Sequence, residues 1–174
     1  RTDAFKFYHR NGIHLQLVVN EDLLYEPLPA TRDSMLRQGR GILKIAAIFL
    51  DRLRQLGVYD NSLIFIVADH GSGFADTLVN VSPRAAQLNT GAPYKGNFSA
   101  FKAAGLPMVL AKRMNGSGPL AVSDAPVCLG DIPRTVAEEL GLEAAFPGLS
   151  LFSVQEDEQR ERIYRGFVGP QENV

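Results

Sequence analysis

The segment Asp60-Asn61-Ser62-Leu63-Ile64-Phe65-Ile66-Val67-Ala68-Asp69-His70-Gly71 limits what this chain can fold into more than any other stretch. Leu63 to Ala68 form an unbroken apolar run rich in branched residues, with Asp-Asn before it and Gly71-Ser72-Gly73 after it. A short run of this kind, bounded by turn formers, predicts a strand covered on both faces, as in a parallel sheet flanked by helices. Ligands of open α/β sheets bind just beyond the carboxyl ends of the strands. Asp69 and His70 fall at that end and offer an oxygen and a nitrogen to one cation. A plainer reading of the same dipeptide makes Asp69 the cap of the next turn and His70 a surface side chain.

The elements around this strand alternate. Ala4 to His9 reads as a first strand, followed by an irregular stretch to about Ala30 with two prolines. Met35, Gly39, Ile42, Ala46, Phe49, Leu53 and Leu56 recur at spacings of three and four, widened by Leu43 and Leu50, which predicts a helix over 32–56 with Gly57 as its stop. Residues 76–97 carry polar side chains, prolines and glycines without a period and read as a long loop. A short helix over 98–104, a buried strand over 106–111, a loop over 115–119 and a helix over 131–140 ending at Gly141 complete the pattern. Charges dominate from Gln155 onward, with 162–167 as a last strand. Alternating strands and helices indicate an α/β architecture.

Three segments in order resemble the sulfatase and the phosphoethanolamine- or phosphoglycerol-transferase branches of the alkaline phosphatase superfamily. The first is Leu56-Gly57-Val58-Tyr59-Asp60-Asn61-Ser62-Leu63, which leads through the apolar run to Asp69-His70-Gly71. The second is Pro126-Val127-Cys128-Leu129-Gly130-Asp131-Ile132-Pro133-Arg134-Thr135, similar to a strand-to-helix step of that family, with Arg134 set between the proline and the threonine. The third is Pro147-Gly148-Leu149-Ser150-Leu151, similar to a turn of the same family.

The resemblance implies an alkaline-phosphatase-like α/β sandwich with a mostly parallel central sheet, of which residues 1–174 are the C-terminal part. It implies a metal-dependent transferase acting on a cell-envelope substrate through a covalent enzyme intermediate. A sulfatase and a non-catalytic binding module of the same fold are the alternatives. Asp69 and His70 would be metal ligands, with Zn²⁺ or Mn²⁺ favoured by the oxygen–nitrogen pair and Ca²⁺ or Mg²⁺ the alternatives. The nucleophile and the remaining ligands would lie in an upstream half of the domain, so the chain alone is expected to be inert. His14, in Asn11-Gly12-Ile13-His14, matches a family histidine that contacts the transferred group or the leaving oxygen, although Gln16 and Leu17 stand where a proline is usual. A partly buried structural histidine is the other reading of His14. Lys95, in Lys95-Gly96, matches a family lysine that binds the transferred group, and is otherwise an exposed loop lysine.

Composition narrows the field further. With 174 residues, 45% of them hydrophobic, and a net charge of −1, the chain suits one domain with a core and has no basic excess for nucleic acid. No apolar run is long enough to span a bilayer, so any membrane tether is expected in segments outside this chain. The opening Arg1-Thr2-Asp3 carries no leader pattern, and the missing initiator Met reads as processing or excision. By resemblance these residues face the periplasm or the exterior. The single Cys128 excludes an internal disulfide and reads as a small buried hydrophobe. It lacks the Cys-x-Pro-x-Arg setting of a sulfatase nucleophile. Ser72 follows the strand in a glycine turn, but His70 stands where a hydrolase elbow needs glycine.

Overall fold

The computed structural model describes residues 4–14, 16–71 and 105–161, which fall into two compact units divided after Tyr59. The first unit is built on helix α1, Arg32–Gln55. Its start is fixed by Thr31, whose hydroxyl accepts the Ser34 N–H at 3.2 Å, with Asp33 in the positive first turn. Its end carries Arg52 and Arg54 against the negative pole, and Gly57 adopts φ +65° just beyond the cap residue Leu56.

The segment before α1 is not wholly irregular. Residues 17–28 fold into a narrow antiparallel turn, with a bridge between Val19 and Tyr25 and the Asn20 side-chain oxygen accepting the N–H groups of Asp22 and Leu24. Leu17, 2% exposed, sits at its base. Arg37 of α1 binds Glu21 at 2.6 Å and Glu26 at 3.0 Å from the side. The strand expected over 4–9 is not formed: these residues join no ladder, and Phe5 and Phe7 are exposed. Tyr8 meets Phe49 of α1 edge to face, with ring centroids 5.4 Å apart.

The face of α1 that is buried differs from the one the apolar spacing picks out. Ser34, Gln38, Gly39 and Gly41 are buried, whereas Leu43, Phe49 and Leu56 are exposed. The turn over 17–28 packs on the first of these faces through backbone contacts, which favour small and polar partners over large apolar ones.

In the second unit, strand β1, Ile64–Val67, pairs with strand β2, Val109–Lys112, in the register Ile64 to Lys112 through Val67 to Val109. The pairing is antiparallel, and Ala68 N–H extends it to the Met108 carbonyl at 3.0 Å. A mostly parallel sheet would need strands outside the described residues. The strands are half-buried rather than sealed on both faces. Lys112 closes the start of β1 by donating to the carbonyls of Asp60, Ser62 and Arg113 at 2.9–3.2 Å.

A 3₁₀ turn, Leu129–Asp131, leads into helix α2, Ile132–Glu139, with Pro133 in its first turn, where a missing N–H costs nothing. Gly141, at φ +63°, follows its end. The core beside α2 is partly polar: Asp131 and Thr135 are fully buried, alongside Ala137, Ser150 and Val154. The Asp131 carboxylate accepts the N–H of Cys128 at 2.8 Å and of Leu149 at 3.2 Å, and takes both arms of Arg160 at 2.7 and 2.9 Å. Thr135 Oγ1 donates to the Asp131 carbonyl and accepts the Leu151 N–H, each at 2.8 Å. The Asp131-to-Thr135 step and the Pro147-to-Leu151 turn are thus joined side chain to backbone.

Candidate functional site

Strand β1 ends on the pair that the sequence singled out. Asp69 and His70 lie beyond its last residue, Val67, and both side chains are open to solvent, 88% and 67% exposed. The local fold gives each a defined posture. Asp69 Oδ1 accepts the His70 N–H at 3.0 Å, so one carboxylate oxygen is occupied and Oδ2 is turned toward the ring. His70 Nδ1 lies 2.6 Å from the Gly71 carbonyl. A carbonyl can only accept, so Nδ1 carries the proton and the neutral ring keeps its lone pair on Nε2. That nitrogen stands 3.8 Å from Asp69 Oδ2.

This donor set fits a divalent ion as two of its ligands. An ion bonded at about 2.1 Å to each atom can bridge atoms up to about 4.2 Å apart, and 3.8 Å falls inside that limit. A ring N–H donated to a backbone carbonyl is also the outer-shell contact that fixes metal-binding histidines. Two ligands are short of the four a zinc site uses, and no group of three or more His, Cys, Asp or Glu is gathered among the described residues. The cap reading of Asp69 survives only in part, since the N–H it accepts is that of the next residue and not one of a following helix.

His14 belongs to the first unit and is exposed. Its N–H donates to the Gly12 carbonyl at 3.1 Å, and its own carbonyl faces Gln38 Nε2 at 3.5 Å. With Asn11, Gln16, Val18 and Ile42 it lines an open depression of about 340 Å³. The reading of His14 as a partly buried structural histidine does not hold for an exposed side chain. Lys95 and Ser72 lie outside the described residues. Cys128 is half-buried as a free thiol and begins the 3₁₀ turn.

Two groups escaped the sequence reading. Arg160 sits in the charged stretch after Gln155, which reads as a solvated face, yet its side chain is 17% exposed and holds Asp131. Gln38 lies among the apolar spacings of α1 and was passed over because periodicity counts only apolar residues. The one visible signal was the Gln38-Gly39-Arg40-Gly41 sequence, since two glycines in a helix interior cost about 1 kcal/mol each relative to alanine and need a reason.

No helix among the described residues is long and apolar enough to cross a membrane. No family model, curated protein or solved structure matches the chain.

Proposed function

We propose that this chain forms the C-terminal part of a sulfatase-like domain that transfers a phosphoethanolamine- or phosphoglycerol-type group on a cell-envelope substrate. The observation that carries the reading is the Asp69–His70 pair. It lies at the end of a strand, and the ring tautomer leaves Nε2 free and close to a carboxylate oxygen. Asp69 Oδ2 and His70 Nε2 would hold a divalent cation together with ligands from outside the described residues. When bound, such an ion polarises the ester and acidifies an attacking hydroxyl. His14 would give a proton or hydrogen bond to the departing oxygen, a task suited to a group whose ordinary pKa is near ~6.5.

The test uses the full-length protein and its Asp69→Asn and His70→Ala variants. Metal content is read by mass spectrometry, and turnover on p-nitrophenyl esters of phosphoethanolamine and of sulfate. Each substitution is expected to strip most of the metal and lower turnover by at least about 100-fold, since even the groups that only support a ligand are worth about 10–100-fold. Full metal occupancy and turnover in both variants would refute the site. Turnover of the sulfate ester alone would make the protein a sulfatase.

A further inference from the structure

The contacts around His14 converge on one side chain of α1. Gln38 is 4% exposed, and its amide makes all the hydrogen bonds an amide can make. Oε1 accepts the N–H of Val18 at 3.0 Å and of Val19 at 3.1 Å. Nε2 donates to the Gly12 carbonyl at 3.0 Å and faces the His14 carbonyl at 3.5 Å. The amide therefore grips the backbone on both sides of His14. Its orientation is fixed, because a flipped amide would set donors against the two N–H groups and its oxygen against the carbonyls.

The neighbouring glycines bring the chain close enough for that grip. A Cβ at Gly41 would stand 2.7 Å from the Asn20 carbonyl oxygen, and one at Gly39 would stand 2.9 Å from Ile13 Cδ1, beside His14. The two segments that Gln38 holds thus rest directly on the helix backbone. Two helix-weakening glycines and a buried amide, placed together, define a seat for the segment that carries an exposed imidazole.

We infer that Gln38 is the positioning residue for His14, fixing the backbone from which its imidazole reaches the leaving oxygen of the ester. The inference rests on the reading of His14 under Proposed function. Gln38 touches no reacting atom, and it acts by holding the Gly12 and His14 carbonyls in place. Glutamate at this position keeps the acceptor for Val18 and Val19 but turns an oxygen toward both carbonyls. Leucine removes every contact.

The experiment uses the full-length protein with Gln38→Glu, Gln38→Leu, His14→Ala and the Gln38→Glu/His14→Ala pair. Turnover is compared on the phenyl and p-nitrophenyl esters of phosphoethanolamine, since the more basic phenolate depends more on a proton donor. Gln38→Glu is expected to lower kcat on the phenyl ester by about 100-fold, the scale of an ångström-sized misplacement. The loss should be smaller on the p-nitrophenyl ester, with KM and metal content unchanged. Added to His14→Ala, it should cost nothing more. Gln38→Leu should speed hydrogen exchange at the Val18 and Val19 amides, and where that variant fails to fold the Gln38→Glu series carries the test. Equal losses on both esters, an undiminished loss in the His14→Ala background, or unchanged exchange in folded Gln38→Leu would each overturn the inference. Full turnover of His14→Ala on both esters, with Asp69→Asn inactive, would overturn the role of His14 and this inference with it, and leave the metal site standing.

Discussion

Replacing Asp131 by asparagine tests the polar core of the second unit most directly. The Asp131 side chain is 1% exposed, and four N–H groups converge on its two oxygens, two of them from Arg160. Burial by itself would raise the carboxyl pKa. The Arg160 hydrogen bonds, and after them the N–H groups of Cys128 and Leu149, outweigh it and hold the pKa at about 2. Asparagine keeps one acceptor and turns an NH₂ toward donors, leaving the mostly buried Arg160 cation without its counter-charge. Removing one partner of a buried pair costs about 3–5 kcal/mol, and the partial exposure of Arg160 places this case near 3 kcal/mol. For a domain of this size the melting temperature should fall by about 6–12 °C.

The pH dependence has a definite sign. A carboxyl whose pKa is lowered on folding adds stability above its unfolded value, 3.8, and loses that contribution as the pH falls through about 2. The shift corresponds to about 2 kcal/mol, about half of which is gone by pH 3. The stability gap between Asp131→Asn and the unsubstituted protein should therefore be constant from pH 5 to 8 and narrow below pH 4. Urea denaturation of the full-length protein at a series of pH values measures this. Arg160→Met should cost a similar amount, and the double substitution less than the sum. A gap under about 1 kcal/mol at pH 7, or strict additivity, would refute the pairing.

Thr135→Val removes the acceptor of the Leu151 N–H in a fully buried setting and should destabilise by about 1–3 kcal/mol in the same denaturation assay. Gly148→Ala must tolerate φ +97° and a Cβ 2.7 Å from Asp131 Oδ1. It should lose about 1 kcal/mol or more in a thermal melt, and the loss should shrink in the Asp131→Asn background if the carboxylate is the obstacle.

How far the sequence could be read depended on whether the physics was local. The bounds of α1 follow from Thr31, Asp33 and Gly57, all within a turn of the helix end they govern, and the structure places the helix within a residue of the expected span. The same holds for α2 and Gly141, and for the strand that delivers Asp69 and His70. The direction of the β1–β2 pairing is not local. An apolar run shows that a strand is covered without showing which strand lies beside it. Burial was misread for a related reason: periodicity counts apolar side chains, and the buried face of α1 is made of serine, glutamine and glycine because a backbone packs against it.

Gln38 and Asp131 share a chemistry that periodicity cannot register. Each is a buried polar side chain whose hydrogen-bonding capacity is met by backbone groups of a distant segment: Gly12, His14, Val18 and Val19 for the one, Cys128 and Leu149 for the other. Left unpaired, each such group would cost about 1–3 kcal/mol, so the distant segment is held to one placement more strictly than apolar contact would hold it. The two cases differ in what is held. Asp131 secures a turn with no candidate site on it, and its loss should register as stability alone. Gln38 secures the backbone of His14, so a substitution that spares the fold should still register in turnover. That contrast separates a core residue from a positioning residue where burial, at 0% for Asp131 and 4% for Gln38, does not.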